Sequence, residues 1–115
     1  MAYETNFTFK DYEKLAQVTA QYPNIGSNID YPTLGLCGEA GETANKVKKI
    51  ARDFGGIISE ESRLSIIEEL GDTLWYVAMV AFELNVSMEE VAKRNIEKLK
   101  SRYERGVIKG KGDYR

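Results

Sequence analysis

The chain has no histidine and a single cysteine, Cys37. The missing histidine removes the commonest general base and the commonest zinc ligand. It also excludes a di-iron carboxylate bundle, which needs a Glu-x-x-His pair on each of two helices. Any bound metal must then be held by oxygen, which points to Mg²⁺ or Mn²⁺. One cysteine can form no intramolecular disulfide, so a reducing compartment fits. Cys37 itself reads as a small buried hydrophobe. The longest apolar stretch, Leu74 to Phe82, falls far short of the roughly 20 residues that span a bilayer. Met1 to Lys10 has no apolar segment behind a positive charge, so no signal peptide is expected and the default location is cytoplasmic. Excess positive charge is also lacking. The 16 Lys and Arg are outnumbered by 18 Asp and Glu, for a net charge of -2. No overall attraction to nucleic acid follows, although basic residues gather between Lys93 and Arg115. There is no strand pattern, internal repeat or linker between domains.

What remains is a helical chain. At 115 residues, 43% apolar and 30% charged, it is expected to form one globular domain over 1–115. Four helices are readable. The first runs from Phe9 to Gln21, with Thr8 as N-cap and Pro23 beyond its end. A polar loop, Tyr22 to Pro32, leads to a second helix from Thr33 to Phe54, stopped by Gly55-Gly56. The third runs from Ser59 to Leu84 with Asn85 at its end. The fourth opens on the capping box Ser87-Met-Glu-Glu90 and ends before Gly106. Core helices thus occupy about 33–105, and 106–115 reads as a C-terminal arm. The expected core stripes are Ile67, Leu70, Leu74, Val77, Ala78 and Ala81 on the third helix and Met88, Val91, Ala92, Ile96 and Leu99 on the fourth. The third helix is apolar nearly all round from Leu74 to Phe82. Such a helix must be covered on every side, which predicts a partner subunit in a symmetric homo-oligomer.

Two acid pairs carry the chemistry, Glu39-Ala-Gly-Glu42 and Glu69-Leu-Gly-Asp72. Each puts two carboxylates three residues apart on one helical face. Like charges at that spacing destabilise a helix, and an interior glycine costs about 1 kcal/mol relative to alanine. A lone pair of this kind is usually a solvated helix face. Two pairs, each with a glycine before its second acid and apolar neighbours, fit a cation held between two helices. Projection places Gly35, Glu39, Glu42, Lys46 and Lys49 on one stripe, and Ser65, Glu69, Asp72, Tyr76 and Met79 on another. If the stripes face each other, four carboxylates converge and require neutralisation by divalent metal. Gly38, Gly41 and Gly71 would then let backbone, metal or ligand approach. Glu68 is either a supporting acid or exposed. Asn95 lies on the stripe of the fourth helix between Ala92 and Leu99, as a structural amide or one that reads a ligand. Lys98 and Arg102 continue along its side and, with Lys46 and Lys49, are candidates for phosphate oxygens. Trp75 and Tyr76 are core aromatics or stacking surfaces for a base.

Three segments together resemble a known family. They are Leu34-Gly-Leu-Cys-Gly-Glu-Ala-Gly-Glu42, Glu68-Glu-Leu-Gly-Asp-Thr-Leu-Trp-Tyr76 and Asn95-Ile-Glu-Lys-Leu-Lys-Ser-Arg-Tyr103. Their order and spacing, across Thr33 to Tyr103, resemble the MazG-like nucleoside triphosphate pyrophosphohydrolases of the all-α NTP pyrophosphatase superfamily. The resemblance implies an all-α, four-helix bundle-like subunit assembled as a homodimer or homotetramer, with sites that can include helices of neighbouring subunits. It implies Mg²⁺-dependent cleavage of an NTP or dNTP to the monophosphate and pyrophosphate, with Mn²⁺ as a possible substitute. Carried over, Glu39, Glu42, Glu69 and Asp72 are the metal ligands and catalytic acids. Asn95, Lys98 and Arg102 match the family's nucleotide-contacting part of the last helix, and Lys46 and Tyr76, from the projected stripes, join them as expected substrate contacts. No nucleic acid or membrane partner is implied. The family's pattern is Glu-Glu-x-x-Glu then Glu-x-x-Asp, and Gly38 stands here where its first glutamate does. That departure leaves an alternative, a non-catalytic helical regulatory or assembly module retaining the fold.

Overall fold

The computed structural model describes residues 6–115. Met1 to Thr5, half of the stretch expected to carry no signal peptide, lie outside the described residues. Among those described, the ordered elements are four helices: α1 (Phe9–Thr19), α2 (Asp30–Phe54), α3 (Glu60–Glu83) and α4 (Met88–Glu104).

Each helix begins and ends for a local reason. Thr8 caps α1 in a full capping box. Its hydroxyl accepts from the Asp11 amide at 3.2 Å, and the Asp11 carboxylate accepts from the Thr8 amide at 3.0 Å. The helix stops two residues earlier than expected, at Thr19. The expected start of α2 at Thr33 is corrected to Asp30. Pro32 fits inside the first turn, where no amide hydrogen is needed, and the Asn28 side chain accepts from the Tyr31 amide at 3.2 Å. Gly55, at φ +60°, ends α2. Ser59 and Ser87 cap α3 and α4 through their hydroxyls. Both α3 and α4 close in a Schellman motif. Val86 donates to Ala81 and Asn85 to Phe82; Val107 donates to Arg102 and Gly106 to Tyr103.

The packing is asymmetric. Helix α2 packs on α3 alone, as a long antiparallel hairpin, while α4 touches α1 and α3 and makes no approach to α2. A small core of Ala16, Ala78 and Met88, flanked by Tyr12, Leu74, Trp75 and Val77, joins α1, α3 and α4. The Glu13 carboxylate accepts the Met88 amide, and Trp75 Nε1 donates to Thr19 Oγ1 at 2.9 Å. Glu83 Oε1 accepts from the amides of Gly26 (3.1 Å) and Asn28 (2.8 Å), tying the α1–α2 loop to the end of α3. Burial pushes the phenol of Tyr22, in the same loop, up to about 12, assisted by the charge of Glu83.

Several positions expected in the core are not buried by this chain. Ile67, Leu70, Val91, Ile96 and Leu99 are all exposed, Ile96 at 62%. Asn95 and Cys37 are exposed as well. The reason is geometric: after its first turn α4 leaves the other helices, and α2 covers only one side of α3. The radius of gyration is 17.1 Å, against about 13 Å for a compact domain of this length. Accessible surface is 8947 Å², against about 6,300 Å² for a compact monomer of this mass. No helix among the described residues is long and apolar enough to cross a membrane.

Candidate metal centre

The α2–α3 hairpin brings the two predicted stripes face to face. Its register sets Gly35 against Tyr76, Glu39 against Glu69 and Asp72, and Lys46 against Ser65 and Glu69. One carboxylate oxygen from each of Glu39, Glu69 and Asp72 lies within 4.8 Å of the others. Glu39 and Glu69 are half-buried and Asp72 is exposed, so the trio opens to solvent on one side. Thr43 and Thr73 each donate from the hydroxyl to the carbonyl four residues back, of Glu39 at 3.2 Å and Glu69 at 2.9 Å. Glu42 lies on the next turn, exposed and outside the trio, but its charge still acts on Glu39.

The electrostatics of the trio are those of a site short of positive charge. Lys46 Nζ is 3.1 Å from Glu69 Oε1 and donates to Ser65 Oγ at 2.6 Å. That hydrogen bond to Lys46, seconded by one with Glu39, holds Glu69 below the usual glutamate range. Glu39 is pushed up, first by its hydrogen bond to Glu69, then by burial and the charges of Glu69, Asp72 and Glu42. One lysine therefore does not neutralise the group, and the charge left over bears on Glu39. The second oxygen of Glu69, Oε2, is buried with no hydrogen-bond partner. A buried lone acceptor is costly unless something donates to it or coordinates it. Three converging carboxylates, all-oxygen donors and an orphaned buried oxygen suit a hard divalent cation.

The other predicted contacts are placed differently. Tyr76 lies beside the trio, its phenol raised by burial, by Tyr31 and by the charges of Glu39 and Asp72. Asn95, Lys98 and Arg102 lie on α4, which the same chain does not bring to α2. Arg102 is only 4% exposed because the C-terminal arm folds over it. Its guanidinium donates to the Asp113 carbonyl at 2.6 Å, and the Asp113 carboxylate also takes Lys98 at 3.4 Å. The glycines noted beside the acids do not serve close packing within the chain. A Cβ at Gly38, Gly41 or Gly71 would meet nothing within 4 Å.

Sequence reasoning singled out neither Gly35 nor Ser65 as a functional position, though both lay on the projected stripes. Asp113 gave no signal, because its role depends on how the arm folds back. Tyr12 was also missed: its phenol, raised by burial and by the charge of Asp72, lies across from that acid on α1. One turn from Glu69 a cavity of about 390 Å³ opens at the hairpin's end, lined by Lys46, Lys49, Ser59, Ser62 and Ser65 among others.

Comparison with known proteins agrees with this geometry. The family model described as the MazG nucleotide pyrophosphohydrolase domain matches residues 31–107. The chain is similar to the Gene 37 protein of Mycobacterium phage L5, with 50% identity over 109 residues, covering 90% of this chain and 96% of that protein. It is also similar to the uncharacterized protein YvdC of Bacillus subtilis (strain 168), with 38% identity over 74 residues, covering 60% of this chain and 70% of that one. No solved structure matches it.

Proposed function

The chain belongs to the MazG nucleotide pyrophosphohydrolase family, and we propose from that premise that it is a Mg²⁺-dependent hydrolase converting a nucleoside triphosphate to the monophosphate and pyrophosphate. The observation that carries the reading is the Glu39, Glu69 and Asp72 trio with the orphaned Glu69 oxygen. These three side chains would hold the metal. When bound, Mg²⁺ supplies charge neutralisation between the carboxylates and the triphosphate and lowers the pKa of water; Mn²⁺ is the natural substitute.

The remaining steps belong to this chain's own side chains. Lys46 keeps Glu69 ionised and ready to ligate. Glu42, outside the trio, orients the attacking water and accepts its proton; with Gly38 in place of the family's first acid, it is a carboxylate outside the trio whose charge acts on Glu39. Water adds across the α–β anhydride, so the hydroxyl goes to one phosphorus and pyrophosphate carries away the other side. Lys46 and Lys49 neutralise phosphate oxygens at the cavity beside Glu69. Lys98, with Asn95, reaches substrate from the α4 of a second subunit, because its own α2 lies out of reach, while Arg102, buried under the C-terminal arm, anchors that arm through Asp113. The exposed apolar stripes and excess surface support a homodimer or homotetramer. A cytoplasmic location fits a nucleotide substrate.

The test is incubation with each NTP and dNTP plus Mg²⁺. Monophosphate and pyrophosphate are expected in equal amounts, with turnover lowered at least about a hundredfold in Glu42→Gln and Asp72→Asn. Orthophosphate as the product would overturn the bond assignment. No turnover, together with no Mg²⁺-induced rise in melting temperature, would favour the non-catalytic module.

A further inference from the structure

Gly35 is the glycine in α2 with a packing reason to be one. A Cβ there would lie 2.1 Å from Cε1, 2.4 Å from Cζ and 2.6 Å from Cδ1 of Tyr76. Ring carbons that close belong to a ring resting directly on the helix backbone. The backbone at Gly35 is ordinary helix, so conformational freedom does not explain the residue. An interior helical glycine costs about 1 kcal/mol relative to alanine, and here the contact with Tyr76 offsets it. The ring is fixed on a second side by Trp75, whose centroid is 5.0 Å away at an interplanar angle of 85°. The Tyr76 ring is thus held between the backbone of α2 and Trp75.

The place of the ring matters more. Gly35 precedes Glu39 by one turn, and Tyr76 follows Asp72 by one turn, so the pair bridges α2 and α3 immediately beside the acid trio. The phenol feels the charges of both Glu39 and Asp72, and Tyr31 lies close enough to hydrogen-bond it. Tyr31 is itself stacked on Tyr22, with centroids 4.9 Å apart.

We propose that Tyr76 is a positioning residue whose ring, seated in the notch that Gly35 leaves, fixes the α2–α3 spacing at the metal centre. The proposal rests on the metal-centre reading above. It gives the ring the work of outer-shell support at a metal site, whose loss weakens metal binding by about 10–100-fold.

The experiment is calorimetric titration of Mg²⁺ and of Mn²⁺ into wild type, Tyr76→Phe, Tyr76→Ala and Gly35→Ala, with thermal melts in the absence of metal. Tyr76→Phe keeps the ring and should bind metal as wild type does. Tyr76→Ala removes the ring and Gly35→Ala displaces it, so each should weaken metal binding about tenfold. In a Tyr76→Ala background the added methyl meets nothing, so Gly35→Ala should there have no further effect on metal binding, a non-additivity that marks direct contact. Wild-type metal affinity in Tyr76→Ala overturns the proposal, as does additivity of the two substitutions. A wild-type protein that takes up neither metal overturns the metal-centre reading and the proposal with it. If Gly35→Ala fails to fold, the contrast between Tyr76→Phe and Tyr76→Ala decides.

Discussion

At the scale of single residues, the site is governed by a charge imbalance that has a definite pH signature. Glu39 lies above the ordinary glutamate value of 4.5, so the folded protein retains a proton there that the unfolded chain has lost. The stability this contributes to the metal-free protein is complete below the ordinary value and is lost as pH rises through the raised one. Glu69 behaves oppositely. Its lowered pKa contributes stability above the ordinary value, which is lost as pH falls through the depressed one. A divalent cation must displace the Glu39 proton before three carboxylates can ligate it. Mg²⁺ affinity should therefore rise with pH from the ordinary glutamate range upward, then level off once Glu39 is ionised. Titrations in buffers of different ionisation enthalpy would count the protons released. Affinity that stays flat from pH 4.5 upward, with no proton release, would show that Glu39 ionises normally.

At the scale of helices, termini and register were legible in the sequence because their causes are local. Thr8, Ser59 and Ser87 are short hydroxyl residues that satisfy first-turn amides, and Gly55, Asn85 and Gly106 adopt the positive φ that ends a helix. The start of α2 was read three residues late because proline suggested a break, although its missing amide hydrogen is harmless in a first turn. The facing stripes of α2 and α3 were legible from periodicity, since an antiparallel hairpin with a short turn fixes which faces meet. The arm's contacts were not legible, because they require α4 and a long loop to be placed first. The same local physics makes a prediction for α4. Gly106 has φ +71°, where an L-residue costs about 1–2 kcal/mol. Gly106→Ala should lower the melting temperature by a few degrees, while Asn85→Gly, at a position already in that region, should be neutral or slightly stabilising. Equal effects at the two sites would mean that the Schellman closures contribute little.

At the scale of the whole molecule, the surface is larger than a compact monomer of this mass exposes. The 8947 Å² of accessible surface exceeds that of a compact monomer by roughly 2,600 Å². An obligate interface of about 2,000–5,000 Å² in total takes about half of that from each partner, so an assembly would absorb the excess. The apolar residues that would line it are those α4 leaves uncovered, Val91, Ile96, Leu99 and Tyr103. The acid trio lies on the α2–α3 hairpin and the α4 cations do not reach it within one chain, so in the proposed assembly the acids come from one subunit and Lys98 from another. Sedimentation should accordingly give a mass at least twice 13.0 kDa, and Ile96→Glu should shift the protein toward monomer with loss of turnover. Complementation separates a shared site from mere association. Asp72→Asn and Lys98→Ala each cripple both sites of a symmetric dimer. In a mixed dimer, one site collects both defects and the other collects neither. Co-refolding equal amounts of the two variants should then restore about a quarter of wild-type activity, since half of the randomly formed dimers are mixed and each has one intact site. Activity no greater than the average of the two parents would place Lys98 outside the site, and a fully active monomer would remove the need for a second subunit altogether.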